Sequence, residues 1–270
     1  MKLYKALENV RNKNPLIQNI TNYVSSNDCA NILLACGASP VMTNDIDDSI
    51  DIASISDGLV LNIGTLNKQI VNSMISTGKI ANKLNHPIIL DPVGVGISKL
   101  RTDSVKSLIN NLKISIIRGN VSEIKFLTNN GECPKGVDAK ENTIENLYDI
   151  SKSFKELSKK LNSIIIATGE VDIITDGNKI CFCKNGNPYM KKVSGTGCQL
   201  SSVISAFVSS NLDMFVASIS AVCSYGICGE VAFSRMNFLD GNSSYRDYII
   251  DAMCNLNSEI FEKKVNYEIR

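Results

Sequence analysis

Ile114-Ser-Ile-Ile-Arg-Gly-Asn-Val-Ser-Glu123 is the stretch that decides the fold. Residues 114–117 are an apolar run of strand length ending at Arg118. A glycine follows, and Asn120 then leads into a short helical pattern around 121–128. The same arrangement occurs twice more. Residues 87–90 (Pro-Ile-Ile-Leu) end at Asp91, and residues 163–167 (Ser-Ile-Ile-Ile-Ala) end at Thr168. Such runs are too uniformly apolar for half-exposed strands. They suit a mostly parallel sheet with helices on both faces, an α/β fold. Ligands of these sheets sit at the carboxyl ends of the strands. Asp91, Arg118 and Thr168 are therefore the first candidates for a site.

Around this centre, the pattern predicts helices over 27–36, 69–84, 102–112, 142–161, 198–210, 213–233 and 245–261. Asn142 or Thr143 is the expected cap of the fourth. Gly37 stands where a helix-ending glycine belongs. Further strands are expected over 40–43, 58–63, 171–175, 179–183 and 188–193. The Asp176-Gly177-Asn178 turn suits a hairpin. The segment Asn19-Ile-Thr-Asn22-Tyr23 reads as a loop or as the polar lining of a small-molecule pocket. Cys181 and Cys183 read as strand residues on one face.

Composition narrows the function. With 28 Lys+Arg against 27 Asp+Glu, the net charge is +1, which excludes a globally basic nucleic-acid binder. The chain has nine cysteines, without a CxxC pair, and a single histidine, His86. A mixed Cys/His zinc site is not expected, and unpaired thiols point to the reducing cytosol. His86 stands before Pro87 at a strand start, on the rim opposite the presumed site, so Ser-His-Asp chemistry is not expected. The charge-free stretches 193–212 and 214–229 are broken by Ser and Gly. They read as buried helices rather than membrane spans.

Three motifs could carry chemistry. Gly195-Thr196-Gly197-Cys198 precedes a helix, where open backbone N–H groups and the helix dipole favour an anion. The competing reading is a plain turn into a buried helix. Cys198 at that helix start is either a thiol of lowered pKa able to take a proton or a small buried hydrophobe. Asn120 and Glu123, at i and i+3, could present oxygens to Mg²⁺, or they could be an N-cap and a first-turn acid. Asp91-Pro-Val-Gly94 could bring a carboxylate to metal or phosphate, or simply form a turn.

Taken together, Asn14-Pro-Leu-Ile-Gln-Asn-Ile-Thr-Asn-Tyr23, Gly37-Ala-Ser-Pro-Val-Met42, Leu61-Asn-Ile-Gly-Thr65, Ile89-Leu-Asp-Pro-Val-Gly94, Arg118-Gly-Asn-Val-Ser-Glu123, Ala167-Thr-Gly-Glu-Val-Asp172 and Ser194-Gly-Thr-Gly-Cys198 resemble the hydroxyethylthiazole kinase family. The resemblance implies a ribokinase-like fold in a single domain over 1–270. It also implies transfer of the γ-phosphate of ATP to 4-methyl-5-(2-hydroxyethyl)thiazole, in thiamine salvage. By the same resemblance, Met42 and Gly195 would contact the thiazole, with Asn22 a neighbour. Arg118 and Thr168 would bind ATP, Asp91 and Glu123 would organise Mg²⁺, and Cys198 would be catalytic, where related sugar kinases carry an aspartate base. A cytoplasmic homotrimer with the thiazole site near a subunit interface is expected, without nucleic-acid or membrane partners. The charge-poor helices after Cys198 add apolar surface in support of assembly. No site residues are carried over to residues 129–135 and 237–270. The rival readings are a hydroxymethylpyrimidine phosphate kinase, a nucleotide-binding protein without turnover, and a cysteine hydrolase. The last has no plausible histidine partner for Cys198.

Overall fold

The computed structural model describes residues 3–129 and 144–270. The expected cap at Asn142 or Thr143, and residues 130–135, lie outside the described residues. A nine-stranded sheet organises the chain. Its strands are β1 (Leu16–Ile20), β2 (Ser39–Met42), β3 (Gly58–Asn62), β4 (Ile88–Asp91), β5 (Ile116–Asn120), β6 (Ile164–Thr168), β7 (Asp172–Thr175), β8 (Ile180–Cys183) and β9 (Tyr267–Ile269). They lie in the order β2-β1-β3-β4-β5-β6-β7-β8-β9. The first six run parallel, and β7, β8 and β9 add antiparallel. The predicted hairpin joins β7 to β8. Gly177 takes the positive φ of 86° there, and the Asp176 carboxylate accepts from the N–H groups of Asn178 and Lys179.

The helices are α1 (Tyr4–Lys13), α2 (Ser26–Cys36), α3 (Ile46–Ala53), α4 (Lys68–Lys83), α5 (Lys99–Asn111), α6 (Val121–Thr128), α7 (Ile144–Leu161), α8 (Thr196–Ser210), α9 (Met214–Arg235), α10 (Asn242–Asn255) and α11 (Ser258–Lys264). They cover both faces of the sheet, which gives two apolar cores. One is built with α1, α2, α8, α9 and α10, and the other with α4, α5, α6 and α7. The strands between are buried on both sides, so β3 and β4 consist wholly of buried residues. Helix α9 is long and apolar enough to cross a membrane, yet it is mostly buried inside the fold. Most of its apolar surface, like that of α8, is buried within the chain, while Met214 and Phe233 of α9 and Leu212 before it remain exposed.

Three sequence expectations need correction. Residues 188–193 are not a strand. Pro188–Lys192 forms a 3₁₀ turn, capped by the Asn187 side chain accepting from the Tyr189 N–H, and Tyr189 packs edge-on against Tyr245 at 4.9 Å. The helix expected over 245–261 is two helices, because the Asn257 side chain caps α11 and starts it anew. Asn19 is no loop residue but part of β1. Its neighbour Gln18 donates to Thr43 Oγ1 and the Ser49 carbonyl, and Asn19 accepts from Ser202 Oγ of α8. These bonds to remote partners let a polar-looking segment lie inside the sheet, with Gln18 Oε1 left without a partner among the described residues.

Candidate active site

The carboxyl ends of β1, β3, β4 and β5 converge on the start of α8. Asp91 closes β4 and is fully buried. Its Oδ2 accepts from Asn62 Nδ2 at 2.8 Å and from Ser201 Oγ of α8 at 2.9 Å. Arg118 Nη1 of β5 lies 3.6 Å from the same oxygen. Burial pushes the Asp91 carboxyl up to about 6, the Arg118 charge opposes that, and the Glu123 charge adds to it.

Asn62, at the end of β3, gave no chemical signal in the sequence beyond its place in a family motif. In the structure it is the hub. Its Nδ2 also reaches Cys198 Sγ at 3.1 Å, while its Oδ1 accepts from the Gly64 N–H and from Asn22 Nδ2. Asn22 Nδ2 reaches Cys198 Sγ as well, at 3.2 Å. The orientation of the Asn22 amide is fixed by the backbone, since its Oδ1 accepts from the Val24 and Ser25 N–H groups. Cys198 thus receives two amide donors. Its thiol is nevertheless raised above the ordinary value, first by burial and next by the Asp91 charge. Of the two readings of this helix-start thiol, the lowered pKa is not found: desolvation and a neighbouring carboxylate outweigh the dipole.

Gly195 is the N-cap of α8, with φ 87°, and no side chain caps the helix. The first-turn N–H groups are left open, as an anion site requires. A Cβ on Gly195 would stand 2.7 Å from Ser25 Cβ, and one on Gly197 would stand 2.5 Å from Arg118 Nη1. The glycines let the helix start dock against α2 and let the guanidinium lie across it. Arg118 Nη2 donates to Thr168 Oγ1 at 2.7 Å. Both residues line a cleft of about 790 Å³, which continues past Asp172, Lys184, Lys191 and Tyr225.

Glu123 realises the capping alternative. It forms a capping box with Asn120, and its other oxygen accepts from the Gly94 N–H at 2.8 Å. The Asn120 side-chain oxygen is thereby spent on the helix backbone. Both Glu123 oxygens keep spare lone pairs. Buried Asp91 Oδ1 has no partner among the described residues. An unpartnered carboxylate oxygen near a second acid fits a magnesium ion. The described residues hold no cluster of three or more His, Cys, Asp or Glu side chains able to bind a metal, so water and substrate oxygens would complete the shell. Met42 stands apart from this cluster. It ends edge strand β2, level with Asn19 and half-exposed, three strands or roughly 14 Å across the sheet from β4.

The pKa of Asp91 has a consequence for stability. The folded value lies above the usual carboxylate value, so its contribution is fully present below about pH 4 and is lost as pH rises through about 6. In metal-free urea unfolding, wild-type stability relative to Asp91→Asn should fall by about 2–3 kcal/mol between pH 4 and pH 7. Parallel pH curves would show that Asp91 is not perturbed.

Comparison with known proteins agrees with this geometry. The profile of the hydroxyethylthiazole kinase family matches residues 7–259. A hydroxyethylthiazole kinase from Clostridium acetobutylicum is 50% identical, over 98% of this chain and 99% of the relative. One from Clostridium beijerinckii is 47% identical, over 97% and 95%. Among solved structures, a hydroxyethylthiazole kinase from Pyrococcus horikoshii OT3 superposes with a TM-score of 0.90 at 30% identity, covering 100% of both chains. The pyridoxal kinase of Staphylococcus aureus, in complex with AMP-PCP and pyridoxal, shares the fold alone, with a TM-score of 0.63 at 15% identity over 95% of this chain and 98% of that one. With the sheet order, the site at the strand ends and these relatives in agreement, the chain belongs to the hydroxyethylthiazole kinase family.

Proposed function

We propose that the protein transfers the γ-phosphoryl group of ATP to the hydroxyl of 4-methyl-5-(2-hydroxyethyl)thiazole, in thiamine salvage. The observation that carries this reading is the placement of Arg118. One guanidinium touches Thr168 in the large cleft and lies beside Asp91 in the Asn22–Asn62–Cys198 cluster. Nucleotide and acceptor would meet at that residue.

In this reading Arg118 and Thr168 hold the ATP phosphates, helped by Lys184 and Lys191 in the cleft wall. Asp91 and Glu123 hold magnesium, which when bound neutralises charge on the transferring phosphoryl oxygens. Gly195, Asn22 and Met42 border the thiazole. Open N–H groups at the start of α8 face the charge that develops in transfer. Cys198 keeps its proton at neutral pH and so helps to place the acceptor hydroxyl rather than to deprotonate it. In a loose transition state that hydroxyl loses its proton late, and the proton can pass to the transferred phosphoryl oxygens. Eight cysteines are free thiols among the described residues, consistent with a cytoplasmic setting. The reading takes residues 1–270 as one kinase domain that meets neither nucleic acid nor membrane.

The direct test is phosphate transfer by the purified protein with ATP, Mg²⁺ and hydroxyethylthiazole. Phosphorylation should far outpace that of pyridoxal, ribose and hydroxymethylpyrimidine. Equal rates on all these alcohols would withdraw the substrate assignment. ATP binding without turnover on any of them would make the protein a nucleotide-binding relative.

For Cys198, the Ala variant should slow turnover by about 10²-fold or less, with the ATP KM nearly unchanged. Cys198→Asp should keep or raise activity, because a carboxylate can accept from both amides that now reach the sulfur. A folded Asp variant that binds both substrates but is inactive would assign Cys198 to packing instead.

The assembly we propose is a homotrimer with the thiazole site near a subunit interface. Support comes from the family resemblance and from two exposed apolar side chains directly after Asn22: Tyr23 is 70% exposed and Val24 is 65% exposed. Light scattering should give a mass near three chains of 29.4 kDa. A stable monomer or dimer at micromolar concentration would rule the trimer out.

A further inference from the structure

Arg101, in the first turn of α5, takes no part in the site as described above. Its guanidinium faces main-chain oxygens rather than a carboxylate. Nη1 donates to the Val93 carbonyl at 2.5 Å and to the Ile63 carbonyl at 3.3 Å, and Nη2 donates to the Gly64 carbonyl. Among the described residues it forms no ion pair. A half-buried charge is thus committed entirely to two loops, and charge-assisted hydrogen bonds of this kind are roughly twice as strong as neutral ones.

Those two loops carry the centre of the site. Gly64 is two residues past Asn62, and its N–H holds the Asn62 Oδ1. A Cβ on Gly64 would stand 2.8 Å from Asn22 Nδ2 and 2.9 Å from Asn62 Oδ1, so this peptide is seated directly on the amide pair that grips Cys198. Val93 is two residues past Asp91, and the next N–H, that of Gly94, is held by Glu123. The loop after β4 is therefore pinned by Glu123 through its N–H and by Arg101 through its carbonyl. The loop after β3 is held at its start by the Ile63 N–H donating to the Asp91 carbonyl and further on by Thr65 Oγ1 accepting from the Tyr23 N–H, and Arg101 takes the carbonyls of Ile63 and Gly64 between them.

We propose that Arg101 is a positioning residue for phosphoryl transfer, tying the loop after β3 to the loop after β4 and so fixing Asn62 and Asp91 relative to Cys198. The planar fork of an arginine presents N–H groups in two directions at once, whereas a lysine ammonium is a point charge. The role rests on the kinase reading above. Its test includes a readout that does not depend on that reading.

The experiment compares wild type with Arg101→Ala and Arg101→Lys. Folding is followed by thermal melting, turnover with hydroxyethylthiazole, and nucleotide affinity with a non-hydrolysable ATP analogue. Alkylation of Cys198 by iodoacetamide is read by mass spectrometry against exposed Cys254 as internal reference. Misplacement of reacting groups by about 1 Å costs on the order of 10²-fold. Arg101→Ala should accordingly lower kcat about 10–100-fold, and Arg101→Lys should fall between it and wild type. Analogue affinity should stay within about threefold, because the cleft is lined by β5, β6, residues 184–191 and parts of α8 and α9, to none of which Arg101 is bonded. The Cys198:Cys254 labelling ratio should rise several-fold, because the loosened loops open the partly buried sulfur to the reagent and relieve its desolvation. A folded variant with wild-type kcat and labelling ratio overturns the proposal. So does a loss of kcat matched by an equal loss of nucleotide affinity, which is the mark of general structural damage. If Arg101→Ala does not fold, Arg101→Lys decides alone. If wild type does not phosphorylate the thiazole, the function reading falls and the labelling ratio decides the role of Arg101.

Discussion

A carboxylate kept wholly out of solvent at the end of β4 sets the terms for the rest of the site. A buried, ionisable Asp91 must be compensated or it will not be tolerated. Its compensation comes from three different elements: Asn62 on β3, Ser201 on α8 and Arg118 on β5. Each must reach one oxygen, so the ends of β3 and β5 and the start of α8 are drawn to a common point. That convergence also gives two serines of α8 their place. Ser201 meets Asp91 and Ser202 meets Asn19, so the helix that opens at Gly195 is clamped to the sheet by hydroxyls at buried positions.

The other oxygen of Asp91 stays unpartnered, as do several buried hydroxyl and amide groups, but among the described residues it is the one buried carboxylate oxygen in that state. Buried polar atoms without partners are uncommon because each forfeits its desolvation energy. Here the orphan points to a function that a fully satisfied carboxylate could not serve. Glu123 shows the opposite balance. Its oxygens hold Asn120 and Gly94, so the same side chain that could approach a cation also fixes the loop carrying Asp91. One acid is held ready by being under-satisfied, and the other holds it in place.

Much of this architecture was legible from residue patterns, and the failures have physical causes. Strands β3, β4, β5 and β6 are buried on both faces, so they read as unbroken apolar runs, and the polar residues that terminate them mark the site. Strand β1 was hidden because Gln18 and Asn19 are buried amides whose partners come from residue 43, residue 49 and α8, all remote in sequence. Asn62 was hidden for the same reason. A lone asparagine after an apolar run looks like a strand end, and only the fold brings Asp91 and Cys198 to it. The 3₁₀ turn at Pro188–Lys192 escaped because its cap is a single side chain, Asn187. The short β9 pairs only at the sheet edge with β8, and local pattern does not announce it.

The position of Cys198 bears on how such a site can work without a strong base. A thiol at an uncapped helix start would ordinarily be acidified. Here desolvation and the adjacent carboxylate reverse that effect, and the sulfur accepts from two amides whose own orientations are fixed by main-chain N–H groups. The hydrogen bonds of the site therefore go into placing neutral groups rather than into generating a thiolate. Phosphoryl transfer through a loose transition state rewards that choice, because most of the barrier is lowered by alignment and by charge stabilisation on the phosphoryl oxygens. A carboxylate at position 198 would add a negative charge beside Asp91, but the Asn22 and Asn62 amides that now reach the sulfur would donate to it, and Arg118 lies beside Asp91. The same two amides therefore suit a neutral thiol or a charged acceptor at this position.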